Sequence, residues 1–304
     1  MWIGLVYSGI THDILRQCAG FSILSNKQMA RPLRIAYEGA LYHLTSRGNE
    51  RKEIFRSDND HHHFLRILAQ TIERYGWLCY AYCLMNNHYH LLVETPLANV
   101  SRGMRHLNGV YTLRVNRIYN RVGHLFQGRF KGILVEKQSH LLQLCRYVIL
   151  NPVRANVCER PEDYAWSSYR ATLGLVPSPR FLQAHWILEQ FGSQPDQARR
   201  AYEKFVWEGI HKNPWEDLKG QIYLGSDDFV QQFQEDATSK PLEIPLPQIV
   251  PLRPTLREVL KGKDGIRVAF QKHGYSLRSI AKEVGLHYTT ISKRLKDSKA
   301  KISI

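Results

Sequence analysis

Between residues 40 and 150 the spacing of apolar positions switches repeatedly between a period of two and a period near 3.6. Leu41 to Ser46 alternates and predicts a strand, closed by an Arg47-Gly48-Asn49 turn signal. Over residues 60–75, Phe64, Leu65, Leu68, Ile72 and Tyr75 recur at helical spacing. Trp77 to Met85 is apolar, breaks at Asn86-Asn87 and resumes as His88 to Thr95, the pattern of an antiparallel hairpin. Val100, Met104, Leu107, Tyr111, Val115 and Ile118 make one stripe of a long helix. Its other faces carry Arg102, Arg105, Arg114, Arg117 and Arg121. Gly132 to Lys137 reads as a further strand. A helix over 138–150 follows, with Leu141, Leu144, Cys145 and Val148 inward, ended by Asn151-Pro152 because a residue before proline leaves helical geometry. The fold class expected is α+β: an antiparallel sheet with helices packed against it.

Beyond this core the pattern predicts amphipathic helix over 180–212. Between Asn213 and Val250 the charge reverses, with seven acidic residues against Lys219 and Lys240. Five prolines between Pro241 and Pro254 read as a stiff linker. From Arg253 to the end thirteen Lys and Arg face four Asp and Glu, which marks a separate basic module. There Leu277, Ile280, Ala281 and Val284 make one helix face, Gly285 a tight turn, and Leu286, Ile291 and Leu295 a second face, the spacing of a helix-turn-helix. Its second helix offers Tyr288, Thr289, Thr290, Lys293 and Arg294 to a DNA groove; a generic three-helix bundle is the plain alternative. The divisions expected are 29–175 for the core domain, 176–240 for a helical accessory segment, 241–254 for the linker and 255–304 for the helix-turn-helix. Residues 1–28 differ in character, and the reading is that translation begins at Met29, with the preceding stretch outside the native protein.

Composition narrows the class. With 43% hydrophobic residues the chain can bury a substantial core, and a net charge of +15 at a pI of about 9.6 favours a polyanionic partner, nucleic acid first. The five cysteines form no C-x-x-C pair and read as buried free thiols in a reducing cytosol. No apolar run reaches the length of a membrane span.

The sharpest local signal is Asn87-His88-Tyr89-His90-Leu91-Leu92-Val93. Residues i and i+2 of a strand share a face, so His88 and His90 present two imidazoles side by side, suited to one metal ion, while Tyr89 and Leu91 turn to the core. Alone, such a pair is more often surface or core histidine. Four stretches give it context: Tyr42-His43-Leu44-Thr45-Ser46-Arg47-Gly48-Asn49, Met85 to Leu92, Gly128-Arg129-Phe130-Lys131, and Tyr147-Val148-Ile149-Leu150-Asn151-Pro152-Val153-Arg154-Ala155. In this order, from Arg31 to about Ala171, the chain resembles the REP-associated tyrosine transposases, an IS200-like group of single-tyrosine HUH transposases. HUH stands for His–hydrophobic–His.

That resemblance implies a metal-dependent DNA endonuclease and strand transferase with a ferredoxin-like core. Its partners would be single-stranded and hairpin DNA, joined through a 5′-phosphotyrosine. By position, His88 and His90 would be metal ligands, Asn151 would complete or support the site, and Tyr147 would be the nucleophile. An amide is a weaker ligand than a carboxylate, so substrate phosphate oxygens would complete the shell, which favours Mg²⁺ or Mn²⁺. Tyr147 and Asn151 are helix neighbours at i, i+4 and can share a face. Tyr119 is the second candidate nucleophile, whereas Tyr111 falls on the apolar stripe. Glu94 shares the face of the histidine pair and is a further possible ligand. His61-His62-His63 reads as an exposed start of a helix, and His43 as a packing or hydrogen-bonding residue. Arg47, Arg129, Lys131 and the arginines of the long helix read as contacts to a DNA backbone.

The rival readings are a catalytically idle regulator that binds duplex DNA through the helix-turn-helix, and a replication-initiator or relaxase nickase. The short single-tyrosine domain and the lack of a helicase motif speak against the nickase. The expected setting is the bacterial cytoplasm, at the nucleoid and away from membranes. Whether the site is built in one chain or in a homodimer stays open.

Overall fold

The computed structural model describes residues 35–233, 254–262, 264–271, 273 and 275–300. The extension before Met29 and nearly all of the proline-rich linker lie outside them. The described residues fall into two units, one ending at Asp217 and one beginning at Leu218.

The first unit is built on four antiparallel strands: β1 (Ala40–Arg47), β2 (Leu78–Met85), β3 (His88–Thr95) and β4 (Lys131–Val135), in the order β2-β3-β1-β4. β3 and β1 are therefore interior, and their register sets Leu44 opposite Leu91, Thr45 opposite His90 and Arg47 opposite His88. β2 and β3 form the predicted hairpin, with Met85 opposite His88 and a bulge between Cys79 and Ala81. Pleating sorts the side chains. Tyr42, Leu44, Ser46, Tyr89, Leu91 and Val93 point to one face; His43, Thr45, Arg47, His88, His90, Leu92 and Glu94 point to the other.

Two helices cover the first face, α1 (Asp58–Tyr75) and α2 (Val100–Ile118). α1 ends where Gly76 turns left-handed (φ 68°) and its amide donates to Ile72 O. Phe64 packs on Tyr89, ring centroids 4.7 Å apart, and the Tyr89 hydroxyl is held by Asn108 Oδ1 at 2.5 Å and Ser46 Oγ at 3.1 Å. Fully burying side chains of this size contributes about 1.5–3 kcal/mol each, and a buried hydroxyl needs such partners. α2 lies close to Trp77 because Gly103 carries no side chain: a Cβ there would stand 2.0 Å from Trp77 Cζ2.

α3 (Lys137–Ile149) covers the other face with Leu141, Leu144, Cys145 and Val148 buried. The predicted end at Asn151-Pro152 comes slightly differently. α3 stops at Ile149, and a one-turn helix, α4 (Asn151–Arg154), starts at once. Pro152 has no N–H to offer the Val148 carbonyl. The Asn151 side chain supplies one instead: its Nδ2 donates to Val148 O at 3.1 Å and to Tyr147 O at 2.9 Å.

The segment that follows guards the outer edge of β2. Leu84 N donates to Trp166 O, Ser168 N to Tyr82 O and Gln183 N to Cys79 O, which satisfies edge groups that would otherwise invite another strand. The predicted helix over 180–212 is two helices, α6 (Ala184–Glu189) and α7 (Pro195–Trp207), after a short α5 (Tyr169–Leu173). Cys79, Cys83 and Cys145 are buried and Cys158 half-buried, all as free thiols. Among the described residues no helix is long and apolar enough to cross a membrane.

In the second unit a β5–β6 hairpin (Leu218–Lys219, Tyr223–Leu224) and α8 (Asp227–Gln231) precede four helices: α9 (Leu256–Lys261), α10 (Gly265–Gln271), α11 (Leu277–Glu283) and α12 (Tyr288–Ala300). Thr255 and Glu258 form a capping box at the start of α9. Val259, Ala269, Ile280, Ala281, Ile291 and Leu295 make the core of these helices. α11 and α12 are joined through Gly285 at φ +66°, a conformation glycine adopts without strain.

Candidate active site

Three imidazoles meet on the α3 side of the sheet. His88 and His90 stand on β3 with ring centroids 5.0 Å apart. His43 stands on β1, diagonal to His90, and its Nε2 lies 2.9 Å from His90 Nδ1. His88 Nδ1 pairs with Asn87 Oδ1 at 2.7 Å. His90 Nε2 and His43 Nδ1 are buried with no protein partner. Burial disfavours the imidazolium form of all three rings. It pushes His43 down to about 3 and His88 to about 4, the latter helped by the Arg47 guanidinium, and holds His90 well below the usual range, aided by His88, His43 and Arg47. Neutral imidazoles are the ligand form. Among the described residues no group of three His, Cys, Asp or Glu side chains is arranged to hold a metal ion.

Tyr147, from α3, completes the cluster. Its ring meets His90 edge-on at 6.2 Å and His43 at 6.0 Å between centroids, and it is only 8% exposed. Two residues that the sequence reading passed over enclose it. The Trp215 ring lies 4.9 Å from that of Tyr147 and 5.2 Å from that of His43. The Arg154 guanidinium sits 4.9 Å from the Tyr147 ring centroid and donates to the carbonyls of Gly209 (2.7 Å), Lys212 (2.7 Å) and Ile210 (3.2 Å). Arg154 lies within the Tyr147 to Ala155 motif, two turns beyond Tyr147, and helical spacing could have flagged it. Trp215 sits in Asn213-Pro214-Trp215-Glu216-Asp217, which has no periodicity, so no local signal pointed to it.

Other candidates fall elsewhere. Glu94 shares the histidine face but is engaged at its far end, accepting from Tyr80 Oη at 2.6 Å and Lys137 Nζ at 2.7 Å. The Tyr119 hydroxyl donates to Asp60 at 2.7 Å, with Arg56 over its ring, and Tyr111 is core, donating to Ile54 O. The expectation of an exposed histidine triplet fails at His61, which is buried and stacked between Phe55 (4.5 Å) and Trp166 (4.2 Å). At 100° per residue, it falls on the inward side with Phe64 and Leu68. Of the predicted cations, Arg47 and Lys131 share the histidine face, opposite His88 and Thr45, and Arg129 is exposed just before β4. Arg102, Arg105, Arg114 and Arg117 are exposed on α2, which covers the opposite face; Arg114 pairs with His63. In the second unit Tyr288, Thr289, Lys293 and Arg294 are exposed and Thr290 is half-buried.

Residues 36–150 match the family described as "Transposase IS200 like". A Haemophilus influenzae protein that bears the name of a REP-associated tyrosine transposase is 25% identical over 170 residues, 52% of this chain and 91% of its own. A solved structure of a REP-associated tyrosine transposase bound to a REP hairpin aligns with 16% identity and a TM-score of 0.43, over 49% of this chain and 89% of that one. The matched segment holds His43, His88, His90 and Tyr147, and over it the chain is similar to the IS200-like transposases.

Proposed function

We propose that this chain cleaves and rejoins single-stranded DNA next to hairpins of the REP type, with Tyr147 as the nucleophile. One observation carries the reading: the phenol ring brought by α3 lies against the imidazole of His90 brought by β3, in one buried cluster. In the forward step the Tyr147 oxygen attacks a backbone phosphorus and the bond to the 3′ oxygen breaks. The phenolic proton is lost and the departing oxygen gains one. The product is a 5′-phosphotyrosine, which keeps the bond energy that water would discard. A later 3′-hydroxyl reverses these roles and releases Tyr147.

A divalent ion, Mg²⁺ or Mn²⁺, fits the donor set. His90 Nε2 is a buried nitrogen without a partner, and His88 keeps its Nε2 for a ligand while Nδ1 pairs with Asn87. Leaving such an atom unsatisfied costs about 1–3 kcal/mol, which a bound cation removes. Asn151 has its Nδ2 committed to α3 and would offer Oδ1. Such an ion, when bound, polarises the phosphate and stabilises the leaving oxygen. Arg47, whose register position is opposite His88, would receive a phosphate beside the imidazoles. The second unit, with Tyr288, Thr289, Lys293 and Arg294 exposed on α12, would read duplex DNA as a helix-turn-helix.

The test uses the full chain, Mn²⁺ and an end-labelled hairpin with single-stranded flanks. The unmodified protein is expected to give a DNA adduct that survives denaturing electrophoresis, and Tyr147→Phe to give none while still binding the hairpin. An adduct from Tyr147→Phe would overturn the assignment.

A further inference from the structure

The proposed function uses His88, His90, Asn151 and Tyr147 and leaves His43 without a task, although this buried imidazole sits at the centre of the cluster. Its rings and those of His90 are parallel within 10°, with centroids 5.1 Å apart and facing nitrogens 2.9 Å apart. Rings stacked face to face with nitrogens that close would bring their centroids nearer. These two lie edge to edge in nearly one plane, which is the arrangement of an in-line N–H···N hydrogen bond.

Such a bond needs one hydrogen and one lone pair. If His43 supplies the hydrogen, His90 must carry its own on Nε2, and that nitrogen cannot ligate. If His90 supplies it from Nδ1, its Nε2 presents a lone pair into the site and His43 only accepts. The bond therefore has two settings, and only one makes His90 a ligand.

We infer that His43 is a positioning residue: it accepts the His90 Nδ1 hydrogen, fixing the His90 ring and turning the Nε2 lone pair toward a divalent cation. Outer partners of this kind orient ligand imidazoles in metal sites generally. His43 is well held for the task. It is 4% exposed, on an interior strand, with Tyr147 edge-on at 6.0 Å and Trp215 at 5.2 Å, so its ring has little room to turn away. The same contacts make the His43 ring a wall for the tyrosine.

The inference rests on the proposed function above, and its test separates the two. Mn²⁺ affinity is measured by electron paramagnetic resonance on the full chain, alongside hairpin binding in chelator as a check on folding. The unmodified protein is expected to bind Mn²⁺, and His90→Ala to lose it; if either fails, the metal reading itself falls. Given both, His43→Phe, which keeps a ring without an acceptor, is expected to weaken Mn²⁺ binding about tenfold or more. His43→Gln, which can place an oxygen near the Nε2 position, is expected to recover most of that loss. Mn²⁺ affinity unchanged in His43→Phe overturns the inference and leaves the metal reading standing, as does His43→Gln falling as far as His43→Phe. An arm without substitutions uses ¹⁵N-histidine spectra with saturating Mg²⁺. His90 is expected with hydrogen on Nδ1 and a lone pair on Nε2; hydrogen on Nε2 would also overturn the inference.

Discussion

Replacing Arg154 with alanine removes the fastening between α4 and the turn at 209–213 that leads into Trp215. The side chain gives three hydrogen bonds to the carbonyls of Gly209, Ile210 and Lys212 and lies over the Tyr147 ring. A typical net bond contributes about 1 kcal/mol, and charged donors do better, but the Lys212 bond is solvent-exposed. The three together then stand at about 2–3 kcal/mol, and the ring contact adds roughly 0.5–1 kcal/mol. Losing about 3 kcal/mol from one turn raises its open population roughly a hundredfold, since 1.4 kcal/mol is a factor of ten. The amides of Gly209, Ile210 and Lys212 donate within this turn, to Val206, Trp207 and Gly209, and so report on it directly. Hydrogen exchange at these three amides is expected to speed up by about two orders of magnitude, while the amides of β1 and β3 keep their rates. Unchanged exchange in the turn would refute the fastening role. Acceleration spread evenly over the sheet would show that Arg154 acts on global stability instead.

Three further outcomes are expected. Gly103→Ala, with its Cβ at 2.0 Å from Trp77 Cζ2, should overpack the α2 contact and cost about 1–3 kcal/mol, read as a lower urea midpoint at unchanged slope. Arg47→Ala should weaken hairpin binding and flatten the dependence of log affinity on log salt by roughly one; an unchanged slope would remove Arg47 from phosphate contact. Glu94→Gln should lower stability by breaking the Lys137 pair while leaving Mn²⁺ affinity untouched, and a loss of Mn²⁺ would return Glu94 to the ligand set.

The sheet and its covering helices were legible because the strands are apolar runs bounded by turn signals and the helices keep one buried stripe at a regular period. β3 is buried on both faces and reads as a strand through its apolar run after the Asn86-Asn87 turn, and the α2 stripe of Val100, Met104, Leu107, Tyr111 and Val115 is buried along its length. What alternation fixed for the site was that His88 and His90 share a face; what it could not give was the third imidazole. His43 and His90 are 47 residues apart, and only strand register makes them diagonal neighbours. Trp215 is further still, delivered by a turn whose anchors are backbone carbonyls, to which side-chain patterns are blind. The break after Ile149 was misplaced by a residue or two, because the proline rule ignores a side-chain amide that replaces the missing donor. His61 was misjudged because three consecutive histidines look alike in sequence, whereas a helix sends each in a different direction.

The interior placement of β3 also imposes a parity on the chain. Side chains alternate, so deleting one residue from the Asn86-Asn87 turn and shifting β3 to match would present Tyr89 and Leu91 where the imidazoles stand. A shift of two would restore the facing but exchange which ring meets Arg47. Length changes between β2 and β3 are thus filtered by arithmetic before chemistry enters. Drift in this chain should collect in the long connections after α4 and leave that two-residue turn at its length.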